Sequence, residues 1–217
     1  QLMARLDNLP GVQSATFARI PLISHYMWNT DILLPGETVK NSGQHSANRQ
    51  LVRENYFSTM EIPLLSGRAF NARDIAEAPR VAIVNQTFAQ KFFPNDNVLG
   101  KRVTDPDAKQ EVEIVGVVDD IRHAGLRKDA LPAAYAPNSQ VVRSSLTVSI
   151  RTNGPVPDLV ARARDAVWSV DARLPITGMR WLDEELARAL HRVALEVYRG
   201  YCQALGLDFS RLIVVGE

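Results

Sequence analysis

Between Leu146 and Asp171 the hydrophobic period changes from two to about 3.6, and this switch constrains the fold more than any other stretch. In "LTVSIRT" Leu146, Val148 and Ile150 alternate with Thr147, Ser149 and Arg151, which predicts a half-buried strand with one wet face. In "PVPDLVARARDAVWSVD" Val156, Leu159, Val160, Ala163, Val167 and Val170 recur at helical spacing, with Arg162, Arg164, Asp165 and Ser169 on the opposite side. "LPITGMRW" then reads as another strand, and Asp183 opens a further amphipathic helix. Strand, helix and strand with a polar outer face require an open sheet backed by helices on one side, an α+β arrangement.

Upstream, Leu2 to Leu9 reads as the end of a helix stopped by Pro10-Gly11. "VQSATFARIPL", "TDILLP" and "RQLVREN" read as strands, and Tyr56 to Glu61 as a short helix or turn. The middle of the chain has a different texture. "RVAIVNQTFAQKFFP" places a continuous apolar strand before a helix capped by Asn85, with Phe88 and Phe92 one turn apart and Pro94 as the stop. "LGKRV" and "QEVEIVGVV" form two more strands around the turn "TDPDAK". The N-terminal strands complete the sheet of the C-terminal section, and the middle becomes an inserted second α/β subdomain.

Apolar residues make up 46% of the chain and charged residues 23%, enough for a globular core. The net charge of +1 gives no basic footprint for nucleic acid. No stretch approaches the roughly 20 apolar residues of a membrane span. The opening "QLMARLDNLPGV" shows neither a secretory signal nor an initiator Met, so a fragment or processed product is expected. Cys202 stands alone, which excludes an intrachain disulfide and a cysteine-based zinc site.

Catalytic and ligand-binding motifs leave a recognisable spacing. "LGKR" fails as a phosphate loop, because Asn95 and Arg102 stand where Gly and Ser/Thr are needed. His25, His45, His123 and His191 have no metal-ligand spacing. "EIVGVVDDIRHAGLRK" is the strongest candidate: an apolar strand ends in Asp119 and Asp120, followed by Arg122 and His123. A carboxylate–imidazole pair can do acid–base work, but no nucleophile accompanies it. The competing reading has Asp119 or Asp120 capping the turn and Arg122 pairing on the surface, a scaffold. Trp168 and Trp181 suit the margin of a core, whereas Met27-Trp28 in a loop suits a protein contact. The expectation is no catalytic, cofactor-binding or metal residues, and no cofactor.

Five phrases, in order, resemble one family. They are "LPGVQSA" (9–15), "ENYFSTMEIPLLSGRAF" (54–70), "VAIVNQTFAQKFFPNDNVLGKRV" (81–103), "EIVGVVDDIRHAGLRKDALPAAYAP" (113–137) and "LPITGMRWLDEEL" (174–186). They look like the MacB-like periplasmic core domain of ABC transporter permeases, the FtsX-like or macrolide-exporter type, and are most similar to the orphan-permease branch abundant in acidobacteria. The resemblance covers residues 2–190. It implies a porter-like subdomain from residues 1–58 and 133–190 and an inserted subdomain from 59–132, whereas residues 191–217 depart from it and read as a divergent or foreign helical tail.

It further implies a non-enzymatic extracytoplasmic domain on the periplasmic side of the bacterial inner membrane, part of an integral membrane protein. Such a domain transmits ATP-driven conformational change and docks partners in export. The implied partners are the permease membrane helices, a cytoplasmic ATPase subunit or domain, a periplasmic adaptor and a second copy of the chain. In the family the chain enters a membrane helix soon after Asp183. Here Arg188, His191, Arg192, Glu196 and Arg199 intervene, and Leu186, Leu190, Val193, Val197 and Tyr201 form an amphipathic stripe. The alternative readings are a soluble periplasmic ligand-binding domain using the inter-subdomain cleft, with Trp28 or Tyr56, and a hydrolase centred on Asp119 and His123.

Overall fold

The computed structural model of the protein describes residues 1–20, 28–37, 45–105, 110–121, 129–141, 145–176 and 178–179. The chain divides into a unit Gln1–Thr177 and a unit Gly178–Glu217. Only Gly178 and Met179 of the second are described, so the expected helix at Asp183 and the tail lie outside the described residues, as do Thr177, Arg180 and Trp181 of the expected last strand.

Helix α1 (Leu2–Asp7) stops before the Pro10-Gly11 breaker. Gly11 has φ +84°, and a Cβ there would lie 2.6 Å from Val156 Cγ2, so both conformation and close approach call for glycine. Strand β1 (Val12–Ala18) follows, then β2 (Asn29–Asp31) and β3 (Ser46–Val52). β2 is shorter than the expected Thr30–Pro35 strand: Leu33 makes a lone bridge to Thr104, and the Pro35-Gly36 turn leaves the ladder. Helix α2 (Tyr56–Thr59) is a single turn. β4 (Leu64–Gly67) had no sequence signal, being four exposed residues after a proline.

The middle section then adds β5 (Val81–Asn85), α3 (Gln86–Phe92), β6 (Arg102–Asp105) and β7 (Gln110–Val118), as the pattern predicts. β8 (Ala133–Pro137), β9 (Thr147–Thr152) and α4 (Leu159–Trp168) complete the unit. The nine strands of the described residues join one mixed sheet in the order β4-β7-β5-β8-β3-β1-β9, with β2 on β3 and β6 on β7. This is the α+β open sheet that the sequence predicts.

Residues on β5 point alternately into two cores. Val81 and Ile83 join Tyr56, Phe57, Phe70 and Tyr135 on one face. Val84 joins Phe88, Phe92, Ile114 and Val117 on the other. Burying Phe88 completely contributes about 1.5–3 kcal/mol before packing is counted, and its ring meets Phe92 edge-on at 4.8 Å.

Pairing strength varies along the sheet. β3 and β8 pair in parallel over five residues, and β1 and β9 in antiparallel over most of their length. Between β1 and β3 there is one pair, Ala18 with Val52. The apolar face assigned to β9 needs correction: Leu146 and Val148 are 37% and 36% exposed, while Arg151 from the expected wet face bonds the Thr59 carbonyl and Glu61. Period-two patterning identifies a strand, but which face is covered depends on neighbours, and among the described strands β9 has one on a single side only. In α4 the buried residues are Leu159, Ala163 and Ala166, whereas Val170 lies past the helix end and is exposed.

Candidate functional site

The parallel strands β5 and β7 end side by side, with Asn85 opposite Val118. Asn85 is fully buried and uses both ends of its amide. Its Oδ1 accepts from the Phe88 N–H (3.0 Å), capping α3, and from the Ala133 N–H (2.8 Å), which begins β8. Its Nδ2 donates to Asp120 Oδ1 (2.6 Å) and to the Leu131 carbonyl (2.9 Å). One side chain thus ties a strand end, a helix start and the entry to another strand, satisfying groups that would otherwise be orphaned.

Asp120 completes the knot. Its Oδ1 also accepts from the Thr87 N–H (3.0 Å), and its Oδ2 from the Thr87 hydroxyl (2.7 Å). Both carboxylate oxygens are therefore engaged by groups at the first turn of α3, where a negative charge is favourable. Asp119 Oδ1 accepts from the N–H of Asp120 (2.8 Å), and the Asp119 N–H donates to the Pro63 carbonyl. Arg122 and His123 lie outside the described residues. The acid pair serves as a cap and a turn. Sequence reasoning offered this role for the aspartates but missed Thr87 and the cross-sheet reach of Asn85, which no local spacing encodes.

The remaining candidates are dispersed. Trp28 is half-buried, with the Arg19 guanidinium 3.8 Å and that of Arg49 4.9 Å from its ring centre. Arg49 is also paired with Asp105, which is buried. Tyr56 is 1% exposed and packs on Tyr135 and Phe57. Burial pushes the Tyr56 phenol well above its ordinary value, and burial, with Tyr56 and Asp120 as lesser causes, does the same to Tyr135. Neither phenol is poised to exchange protons near neutral pH. Trp168 is exposed, its indole N–H donating to the Leu174 carbonyl at 3.3 Å. His45 pairs with Glu37 at 3.1 Å and lies edge-on to Phe92. His25, His191, Met27 and Cys202 are outside the described residues. Among the described residues no three His, Cys, Asp or Glu side chains gather as metal ligands.

Arg49, Asp105, Arg80 and Gln140 help line a cavity of about 20 Å³, room for a water molecule rather than an organic ligand. A shallow hollow by Arg80, Arg102, Glu111 and Glu113 is charged, unlike the apolar pockets that hold small molecules. Among the described residues no helix is long and apolar enough to cross a membrane.

Comparison with known proteins gives this scaffold a family. The model of the MacB-like periplasmic core domain matches residues 6–173. Macrolide export ATP-binding/permease protein MacB of Mannheimia succiniciproducens is 31% identical over 52% of this chain and 18% of its own length. Its counterpart from Aggregatibacter actinomycetemcomitans is 27% identical over 70% of this chain and 21% of its own. The chain therefore spans about a fifth of the length of these relatives.

Solved structures show the same fold. The periplasmic region of MacB from Actinobacillus actinomycetemcomitans superposes with a TM-score of 0.55 at 20% identity, covering 78% of this chain and 72% of that one. The extracellular domain of the noncanonic ABC-type transporter YknZ from Gram-positive bacteria gives 0.54 at 18% identity, covering 79% and 81%. The chain belongs to the family of MacB-like periplasmic core domains, which sit on the extracytoplasmic side of the inner membrane within ABC transporter permeases.

Proposed function

We propose that this domain performs no chemistry of its own, and that it relays ATP-driven motion of a transporter outward while docking partner proteins in export. The observation that carries the non-catalytic part is Asp120, the best acid–base candidate, whose two oxygens accept three hydrogen bonds from Asn85 and Thr87. The export part is supported by the family match and by relatives named as macrolide export ATP-binding/permease proteins. The partners in this reading are the permease membrane helices, a cytoplasmic ATPase subunit or domain, a periplasmic adaptor and a second copy of the chain.

The division into residues 1–58 with 133–190 and an inserted 59–132 belongs to the same proposal. Within the sheet, β5 and β8 join these parts through the pairs Ile83–Tyr135 and Val84–Ala134. The test is made in the full-length protein, by replacing residues 6–173 with a flexible linker of matched span. Export, assayed first with macrolides, is expected to fall to background while basal ATP hydrolysis persists. Undiminished export by the linker variant would overturn the proposal.

A further inference from the structure

The single β1–β3 pair, Ala18 with Val52, has its backbone hydrogen bonds on either side: Arg19 N–H to Leu51 O (2.9 Å) and Arg53 N–H to Phe17 O (3.0 Å). Beyond them the ladder stops and side chains take its place. On one side the buried Gln50 amide accepts from the Ile20 N–H and donates to the Ile20 carbonyl, both at 2.9 Å. On the other, Arg53 Nη1 and Asn55 Nδ2 donate to the Ala15 carbonyl at 2.7 and 3.0 Å, and Arg53 also reaches Asp7 at 3.0 Å. The ion pairs across this line, Arg53–Asp7 and Arg151–Glu61, are partly exposed, and such pairs contribute little.

Among the described residues, several buried polar side-chain atoms without a hydrogen-bond partner lie on or near β1, β3 and α2. They include Thr16 Oγ1 on β1, Asn48 Oδ1 on β3, and Asn55 Oδ1, Tyr56 OH and Thr59 Oγ1 around α2. An unpaired buried polar atom costs stability where it sits.

We propose that the β1–β3 line is a hinge, on which the layer of α1, β1, β9 and α4 swings against β2–β8, with Gln50 and Arg53 as its two latches. α1 packs on β1 and touches α4, and β1 is laddered to β9, so that layer is continuous in itself, while α2 packs on β1 across the line. The β3–β8–β5–β7 ladder holds the other side together. This hinge lies inside the segment 1–58, apart from any junction with the inserted part, and it stands whether or not the domain serves export.

Hydrogen exchange on the 217-residue chain tests it. The Arg19 and Arg53 amides are expected to exchange through a local opening, at least about 100-fold faster than the Ile83 and Val84 amides of β5. Gln50→Leu, which removes one latch at similar volume, is expected to accelerate Arg53 exchange about tenfold although Arg53 lies on the far side of the bridge. Ala18 and Val52 form a non-hydrogen-bonded antiparallel pair, a spacing that accepts a disulfide. Ala18→Cys with Val52→Cys, in a Cys202→Ser background, is expected to slow both seam amides toward β5 rates when oxidised. Seam amides as protected as β5 in the unaltered chain would overturn the hinge. So would a Gln50→Leu effect confined to Arg19 and Ile20.

Discussion

Asn85 Nδ2 donates to Asp120 Oδ1 across 2.6 Å, joining the ends of two adjacent parallel strands. That bond turns a sequence that looks catalytic into a cap. Asn85→Ala removes the α3 cap and leaves the buried Ala133 N–H without its acceptor. A loss of about 2–4 kcal/mol is expected, read as a lower midpoint in urea. Asp120→Ala is expected to cost about 1–2 kcal/mol, with no turnover of any ester or phosphate substrate changing beside it.

Gly116 tests the packing of the β4 edge. It faces Gly67, and a Cβ on Gly116 would lie 2.5 Å from the Arg68 carbonyl oxygen. Backbone cannot yield cheaply there, so Gly116→Ala is expected to destabilise the domain by about 1–3 kcal/mol. Amide exchange should locate the damage in β4 and the facing half of β7.

Asp74 gives the stability of the domain a pH dependence of defined sign. Burial alone would raise its pKa, but hydrogen bonds from Arg68 (2.8 and 2.9 Å) and the Asn71 N–H (2.9 Å), with the Arg68 charge, hold it below the ordinary carboxylate range. A depressed folded-state pKa contributes stability that is present above the unfolded value, about 3.9, and is lost as pH falls through the folded one. Asp74→Asn is therefore expected to be less stable than the parent at pH 7, with the gap closing below about pH 4. A gap unchanged between pH 7 and pH 3 would show that the ion pair is not its source.

The ligand-binding alternative makes its own demand. A ligand binding only the folded state adds RT ln(1 + [L]/Kd), about 2.7 kcal/mol at a hundredfold excess over Kd. With Tyr56 in the core and Trp28 flanked by two arginines, macrolides and short peptides are expected to leave the thermal midpoint of the isolated chain unmoved. A saturating rise in the midpoint would favour the ligand-binding reading.

What was legible in the sequence follows physical lines. Long periodic segments announced themselves: β5 with α3, β7, and the β9–α4 switch all lie where their patterns put them. β8 went unseen because Ala133, Ala134, Ala136 and Pro137 carry little β propensity, and a strand buried between β3 and β5 needs no alternation. β4 was too short to show a period. The exposure of Leu146 and Val148 was hidden for another reason: patterning records apolarity, while coverage is set by distant chain. At the candidate site, Asp120 and the Asn85 cap could be read locally. Their union with Thr87, Leu131 and Ala133 spans nearly fifty residues and exists only once the parallel pairing of β5 and β7 has formed.

The most direct test of coupling is a distance measured in the full-length transporter under turnover. A spin label at the exposed position Gln86, replaced by cysteine in a background without Cys202, reports the separation between the two copies of the domain that the proposal requires. With ATP and magnesium the distance distribution is expected to shift relative to the nucleotide-free state, and to return after hydrolysis is blocked and nucleotide removed. Identical distributions in an assembly that demonstrably hydrolyses ATP would contradict the relay.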